Sequence, residues 1–232
     1  MNRRILGVIG ALALALPVSA CGSGGSPAAG PSASSSPTVA PYATAVPSGV
    51  ALTTPGTALG LGDHAVIAWH PKVSTTAVLD VQVTRIERTT YDKSFQGWKV
   101  SASQAATTPY FVRAVVTNES TTPLDRVAVP IWAEQDAGTL VAAQPFQQRT
   151  FAPCHPYITP ASFAPGAHID MCFVFAISPG QDLKSVTFRP YDDSNQPLQS
   201  ITWTGHISSK VQPPVTKKPK KKSTKGAKKS KQ

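Results

Sequence analysis

The stretch AVLDVQVTRIER (residues 77–88) decides the fold class of this 232-residue chain, because apolar and polar side chains alternate along it. Successive side chains of a β-strand point to opposite faces of the sheet, so the alternation predicts a strand with one buried face. The buried face would carry Leu79, Val81, Val83 and Ile86, and the other face Asp80, Gln82 and Arg85. Such a strand needs a sheet around it and a layer over its apolar face.

Six further segments are rich in β-branched and aromatic residues, and clusters of Pro, Gly, Asn and Asp separate them. They are residues 65–69, 110–117, 127–132, 169–177, 186–188 and 201–203. Short strands with turns between them predict an all-β, immunoglobulin-like antiparallel β-sandwich over residues 58–208. Pro130 cannot donate a ladder hydrogen bond, so we expect its strand to lie at a sheet edge or to contain a bulge.

The first 21 residues have the pattern of an export signal. Two arginines precede an apolar run over residues 5–16, which is too short to cross a bilayer core as a helix. The sequence VSAC (residues 18–21) then resembles a lipobox, in which small residues precede a cysteine that accepts a lipid. We expect residues 1–20 to be a lipoprotein signal peptide and Cys21 to anchor the chain on the extracytoplasmic face of the cell membrane. The alternative is an ordinary secretory signal followed by a chance cysteine.

Composition predicts disordered segments on both sides of the sandwich. Residues 21–57 consist mainly of Gly, Ser, Ala, Pro and Thr, which is typical of a flexible linker. Residues 209–232 form a lysine-rich tail that carries nearly all of the net charge of +10, because residues 22–209 hold ten Lys or Arg against twelve Asp or Glu. The tail lysines that we expect to contact polyanions are Lys217, Lys218, Lys220, Lys221, Lys222, Lys225, Lys228, Lys229 and Lys231.

A basic tail on a near-neutral exported domain indicates electrostatic contact with anionic wall polymers, anionic lipids or an envelope protein. The alternative is a solubilising extension without a partner. Nucleic-acid binding is chemically open to such a tail, but export makes it a side reaction. The sequence leaves the oligomeric state open.

The two cysteines that remain after lipidation predict a structural disulfide. Cys154 and Cys172 form an even pair in an exported chain, where oxidation is the default. The competing interpretation is a thiol pair for metal or redox chemistry, but the spacing is not CxxC and no βαβ pattern surrounds it.

Two stretches resemble a family of exported bacterial domains. YFVRAVVTNESTTPL (residues 110–124) resembles its hydrophobic strand that ends in V-x-N, and FAPGAHIDMCFVFAISPG (residues 163–180) resembles its APG turn, strand and closing turn. KSVTFRP (residues 184–190) is similar to a third strand of the same family. The family is the DUF4352-like group of immunoglobulin-fold domains on surface lipoproteins. The resemblance implies the fold and the cellular location, and the family has no common catalytic residues that could be assigned to this chain. The chain departs from the family pattern over residues 91–108 and in the cysteine-bearing segment.

Several single residues carry structural expectations. Asn118 should end its strand by bonding nearby backbone or by adopting a left-handed conformation, and Gly166 and Gly180 should supply turn conformations. Three tryptophans inside or beside predicted strands should pack in the core or between sheets, namely Trp69, Trp132 and Trp203. Trp98 lies in a polar stretch and should be an exposed loop aromatic.

Residue patterns for catalysis or metal binding are missing from the sequence. The histidines have no close ligand spacing, no nucleophile elbow or phosphate-binding loop occurs, and Asp192-Asp193 is better explained as a solvated turn than as a calcium site. We therefore expect no enzyme activity, no cofactor and no metal. The favoured function is a membrane-anchored binding or adaptor module, the alternative is a small-molecule or metal-binding lipoprotein that serves a transporter, and a wall hydrolase is a third hypothesis.

Overall fold

The computed structural model describes Tyr42 and residues 46–145, 151–192 and 194–213. The predicted signal peptide, the predicted lipidation site Cys21 and the predicted tail lysines lie outside the described residues.

Within these ranges the chain is built of short strands, with two four-residue helices between the third and fourth strands. The strands are β1 (Ala58–Gly60), β2 (His64–Lys72), β3 (Thr75–Arg88), β4 (Thr108–Asn118), β5 (Ile131–Gln135), β6 (Thr139–Ala142), β7 (His168–Ile177), β8 (Leu183–Phe188), β9 (Ile201–Thr204) and β10 (Ile207–Ser208). The helices are α1 (Tyr91–Ser94) and α2 (Ala102–Ala105), and a 3₁₀ turn, Asp136–Gly138, joins β5 to β6.

Two sheets pack face to face and confirm the predicted immunoglobulin-like β-sandwich. Sheet 1 has the order β1-β9-β8-β5-β6, and sheet 2 has the order β10-β3-β4-β7 with β2 also paired to β3. The pairs β1–β9 and β10–β3 are parallel, and the other pairs are antiparallel. The main hydrophobic cluster contains residues from the strands of both sheets.

The predicted alternation of buried and exposed side chains over residues 77–88 is present in β3, with one interruption after Val83. Leu79, Val81 and Val83 are completely buried, and Ile86 is 1% exposed. The apolar spacing changes from two residues to three after Val83, and the pairing register with β4 shifts between Val83 and Arg85. Such an irregularity inserts one residue and returns the following apolar side chain to the core. It also directs Glu87, one residue later, away from the main core.

Sheet 2 is covered on its outer face as well as on its inner face. Phe111 on β4 and Val174 on β7 lie outside the main core, in a second cluster that also contains Phe95 and Phe151. These two phenylalanines belong to the segments before β4 and before β7, which lie across the outer face. Neighbouring residues of β4 are therefore buried on both sides, and the strand reads as a nearly continuous apolar run.

The folded domain is longer at both ends than the predicted range of residues 58–208. Tyr42 is 8% exposed, its hydroxyl donates a hydrogen bond to the carbonyl of Thr53 at 2.6 Å, and Val46, Val50 and Leu52 pack against the core. At the other end, residues 209–213 continue along sheet 2. Low aromatic content indicated a linker up to residue 57, but one tyrosine and a few aliphatic side chains suffice to attach the segment to an existing core.

The expectation for Pro130 holds only in part: its strand is not at a sheet edge, but the pairing of β5 with β8 shifts register between Glu134 and Gln135, four residues after the proline. β5 begins at Ile131, directly after the proline, and lies between β8 and β6 rather than at a sheet edge. The predicted strand over residues 127–132 is thus displaced: Val127 and Val129 are buried, but they belong to the connection that leads into β5. A proline immediately before the first strand residue removes no hydrogen bond from the ladder.

The turn residues behave as the sequence predicted. Asn118 is completely buried and accepts a hydrogen bond from the backbone N–H of Ser120 at 2.9 Å. Its side-chain amide also donates to the carbonyl of Phe163 at 2.8 Å, which links two loops. Gly166 and Gly180 have φ values of 71° and 74°, in the left-handed region that glycine occupies at no steric cost.

Candidate functional site

A completely buried carboxylate lies on the outer face of sheet 2. Glu87 Oε1 accepts hydrogen bonds from Nε of Arg85 on the same strand at 2.8 Å and from Nε of Arg113 on β4 at 3.1 Å. Nη2 of Arg113 also lies 3.1 Å from Oε2, as an ion pair without a hydrogen bond. Two guanidinium groups thus surround one carboxylate, which leaves the cluster with an excess of one positive charge.

The same cluster holds the end of the described chain, residues 208–213, which we call the C-terminal strap. Arg85 Nη2 donates to the hydroxyl of Ser208 and to the carbonyl of Lys210, both at 2.7 Å. Arg113 Nη2 donates to the carbonyl of Gln212 at 3.2 Å, and the backbone N–H of Gln212 donates to Glu87 Oε1 at 3.0 Å. The excess positive charge is therefore met by strap carbonyls. We call Arg85, Glu87, Arg113 and the strap the clamp.

The clamp also contacts the disulfide segment. Arg113 Nη2 donates to the carbonyl of Pro153 at 3.1 Å, next to Cys154. The predicted Cys154–Cys172 disulfide is confirmed, and both cysteines are at least 97% buried in the second cluster. The disulfide fixes the segment that supplies this carbonyl, so its role in the structure is mechanical support of the clamp.

Trp98 was expected to be exposed, and this expectation was wrong. Its ring packs edge-on against Phe151 at a centroid distance of 5.4 Å and is partly buried in the second cluster. Phe151 in turn stacks on Phe95 at 4.8 Å. Polar neighbours in the sequence concealed this contact, because the partner ring lies far along the chain.

The other tryptophans divide between core and surface. Trp203 is completely buried, and Trp69 is partly buried against the core. Trp132 is also partly exposed. It lies between the buried residues Ile131 and Ala133, so its side chain points to the outer face of sheet 1. For Trp132 the expected core packing is not observed.

An open cleft lies where the strap leaves the domain. Its volume is about 330 Å³, and it is lined by Lys93, Ser94, Pro153, Ser209, Val211, Gln212 and Pro213. Lys93 and Ser94 come from α1, Pro153 from the disulfide segment, and the remaining residues from the strap. The clamp thus fixes one wall of this cleft.

A separate ionic network joins the 3₁₀ turn to β8 on the surface. Lys184 Nζ lies 3.0 Å from Asp136 Oδ1, and the hydrogen bond from Lys184 lowers the pKa of Asp136 while the same bond raises the pKa of Lys184. The buried hydroxyl of Tyr110 donates to Asp182 at 3.3 Å, and burial raises the pKa of Tyr110. The raised pKa values of Lys184 and Tyr110 keep both groups protonated, so the network is best explained as a structural contact between the 3₁₀ turn and β8.

The histidine and aspartate side chains considered above for metal binding do not form a cluster in the described part of the chain. His64 Nδ1 lies 2.8 Å from Asp80 Oδ2, but over the residues that the structure describes no three His, Cys, Asp or Glu side chains come together as a metal site. Asp192 Oδ1 accepts hydrogen bonds from the backbone N–H groups of Ser194 and Gln196, as expected of a turn, and Asp193 is outside the described residues.

The chain enters the sandwich at the end of sheet 1 where β8 finishes. The rings of Tyr42 and Phe188 lie 6.3 Å apart, and Phe188 pairs with Ile131, the first residue of β5. β5 then runs away from Tyr42 to Gln135, about 13 Å further along the sheet. There the Gln135 side chain bonds to Ser178, directly after the last residue of β7.

The strap leaves near that opposite end. The last residue of β7, Ile177, pairs with Thr108 at the start of β4. Phe111, three residues further along β4, pairs with Glu87 of the clamp. The chain therefore enters the domain at one end of the sandwich and leaves it towards the other, on the outer face of sheet 2.

Sequence reasoning missed the clamp and the cleft. One signal was present: Arg85, Glu87 and Arg113 occupy the polar face of two predicted neighbouring strands, so their charges could have been expected to pair across the sheet. Nothing in the pattern indicated that remote segments would bury them.

No known protein family, curated protein or solved structure matches the chain. In the described part of the chain, none of the helices is long and apolar enough to span a bilayer.

Proposed function

We propose that this chain is an envelope lipoprotein, anchored through Cys21 on the extracytoplasmic face of the cell membrane, whose sandwich holds a basic tail out to anionic partners. It acts as a binding or adaptor module and carries out no catalysis. The observation that carries the proposal is the clamp. A tail that served only for solubility would need no fixed origin, whereas Arg85, Glu87 and Arg113 hold the backbone directly before the lysines.

The positions of the two chain ends favour wall polymers over lipids as the partner. A chain of about 20 residues with the composition of residues 22–41 reaches roughly 25 Å, so anchoring through Cys21 would keep the Tyr42 end of the domain within about that distance of the membrane. The clamp lies towards the opposite end. Electrostatic attraction to a lipid surface falls off within a Debye length of about 8–10 Å. Lysines that start at the far end of the sandwich therefore meet polymers of the wall layer first.

The anchor is tested by intact mass spectrometry of native protein extracted from membranes. We expect a mass that starts at Cys21 and includes a diacylglycerol group, and a Cys21→Ala variant that no longer fractionates with membranes. A lipid-free mass for the native protein would remove the anchor from the proposal.

The tail is tested with a chain that stops after Pro213, because this truncation removes every tail lysine and keeps the strap. We expect the full chain to bind a phosphate-bearing polymer such as poly(glycerol phosphate) much more tightly than the truncated chain at low salt, with the difference shrinking as salt is raised. Vesicles that contain anionic lipid serve as the comparison ligand, and both chains carry Cys21→Ala so that only the tail differs.

Two results would count against this function. Equal binding of the polymer by both chains would make the tail a solubilising extension, and stronger tail-dependent binding to vesicles than to polymer would make the membrane its partner.

A further inference from the structure

The cleft beside the strap has the chemical lining of a site for an anionic sugar or polyol. Among the lining residues, Ser209 carries a hydroxyl group and Gln212 an amide, while Val211 and Pro213 are apolar. The hydroxyl of Ser94 also lines the cleft and shares a hydrogen bond of 2.7 Å with the hydroxyl of Thr89. Sugar and polyol phosphates present the same mixture of hydroxyl, C–H and anionic groups. A volume of about 330 Å³ is at the lower end of small-ligand sites and fits one such unit.

The charge around the cleft favours an anion. Lys93 lines it and Lys210 lies in the strap between the lining residues Ser209 and Val211, and neither ammonium group forms an ion pair with any carboxylate of the described residues. Glu87 lies below the strap, but its carboxylate is shared by two guanidinium groups and has no contact with solvent. Asp92 on α1 is exposed and is the acidic neighbour of Lys93 in the sequence.

The strap wall is held in place before any ligand arrives. Ser208, Lys210 and Gln212 are bonded to the clamp arginines or to Glu87. A site whose walls are already ordered loses less conformational entropy on binding. Because the strap leads directly into the lysine tail, a polymer unit in the cleft also raises the local concentration of the polymer around the lysines.

We infer that this cleft is the selective part of the polymer site and takes one phosphate-bearing polyol or sugar unit, while the tail supplies attraction that does not depend on the identity of the anion. The inference rests on the proposed function and adds to it the choice of polymer. It assigns the contact with phosphate to Lys93 and the contacts with hydroxyl groups to Ser94, Ser209 and Gln212.

The test is a titration of the full non-lipidated chain (Cys21→Ala) with poly(glycerol phosphate), and with polyglutamate as an anion of similar charge that lacks the polyol. We expect Lys93→Glu to weaken binding of the phosphate polymer about tenfold, because one reversed charge acts against a bound phosphate. Lys72→Glu is the matched control, since Lys72 is also an exposed lysine that forms no ion pair among the described residues, but it lies at the end of β2, before the turn to β3. It should change binding less than twofold, and polyglutamate should bind both variants equally.

A second readout locates the ligand. Backbone amide resonances of Ser94, Ser209 and Gln212 should shift on addition of the phosphate polymer and stay in place with polyglutamate. Asp92→Asn should tighten binding of the phosphate polymer about twofold by removing the neighbouring negative charge.

The outcomes separate the inference from the function on which it rests. If Lys93→Glu and Lys72→Glu weaken binding equally, or if only tail resonances shift, the cleft has no part in recognition and the tail alone binds. If the Cys21→Ala chain with native Lys93 and Lys72 does not bind the phosphate polymer at all, the proposed function itself fails. Equal thermal stability of the two variants excludes unfolding as the cause of any difference.

Discussion

Glu87 and Arg113 lie side by side on neighbouring strands. Nε of the arginine lies 3.1 Å from Oε1 of the carboxylate, and Nη2 lies 3.1 Å from Oε2. The carboxylate has no exposed surface, and only 15% of the arginine side chain is exposed. Removing two charges from water costs several kcal/mol, and the cost is recovered only when further hydrogen bonds satisfy both groups. Here the C-terminal strap supplies the Gln212 N–H to Glu87 Oε1 and the Gln212 carbonyl to Arg113. Pro153 supplies a second carbonyl to Arg113, and Glu87 Oε2 has no hydrogen bond. The strap and the ion pair therefore depend on each other.

Glu87→Gln should reduce the free energy of unfolding by about 3 kcal/mol, because it leaves two guanidinium groups without their counter-charge. Glu119→Gln is the control, since Glu119 is exposed and forms no ion pair within the described part of the chain. It should change stability by less than about 0.5 kcal/mol. Urea denaturation of both variants measures the difference, and equal midpoints would mean that the clamp contributes nothing to stability.

Two truncations separate the strap from the tail. A chain that stops after Pro213 should unfold at the same urea concentration as the full chain, because every strap contact remains. A chain that stops after Ser208 loses the contacts of Lys210 and Gln212 with charged groups, and we expect a loss of about 2 kcal/mol or more. If the shorter chain proved as stable as the longer one, the strap would be a passive end of the chain.

Asn118→Ala should destabilise the domain by about 2 kcal/mol, since it leaves the buried Ser120 N–H without its acceptor and removes one of the two hydrogen bonds of the Phe163 carbonyl, which keeps the bond from Leu124 N–H. Asn118→Asp keeps the acceptor for the Ser120 N–H and loses the amide donor. We therefore expect little loss of stability from the turn contact with Ser120, and a further loss from repulsion between the new carboxylate and the Phe163 carbonyl. Thermal unfolding of the two variants at neutral pH makes the comparison. An alanine variant as stable as the native chain would show that the amide does not link the two loops.

Replacing both Cys154 and Cys172 by serine should cost about 3 kcal/mol, the value that the chain-entropy model gives for a loop of this length. The loss should also weaken the clamp, because the segment that supplies the Pro153 carbonyl is no longer fixed. Hydrogen exchange at Gln212 N–H is the specific measurement. Unchanged protection there would separate the disulfide from the clamp.

The Lys184–Asp136 pair predicts a pH effect of known sign. The pKa of Asp136 is lowered by the hydrogen bond from Lys184, so the pair stabilises the fold above the ordinary carboxyl pKa and ceases to do so as the pH falls through the lowered value. Lys184→Gln should return the pKa of Asp136 towards its ordinary range, which a carboxyl NMR titration detects. An unchanged Asp136 titration in the variant would remove Lys184 as the cause. Because the pair is exposed, we expect salt to weaken the effect.

The strands that the sequence predicted most accurately include the long ones of sheet 2: β7 was placed within one residue at its start and at the right residue at its end. β3 was placed within two residues at its start and at the right residue at its end, and β4 was placed up to one residue before Asn118. β1, β6 and β10 have two to four residues each, which is too short for any period to appear. They form because longer strands beside them offer unpaired backbone groups.

The candidate site also has one part that the sequence predicted and one part that it did not. The disulfide could be predicted from Cys154 and Cys172 because an even pair in an exported chain has one simple outcome. The clamp could not, because Arg85 and Arg113 look like ordinary polar residues on the solvent side of a sheet. Their burial requires the strap, which follows them by about a hundred residues.

The sequence by itself determined where the long strands β3, β4 and β7 run, because runs of β-branched and aromatic residues and the alternation of apolar side chains are local features of the chain. It also determined the disulfide and the turn at Asn118, which depend on few residues. Only the tertiary structure decided which charges are buried, where the tail begins and what lines the cleft. These properties depend on contacts between segments that are remote in sequence and pack together on the outer face of sheet 2. The local pattern of apolar and polar residues does not predict such contacts.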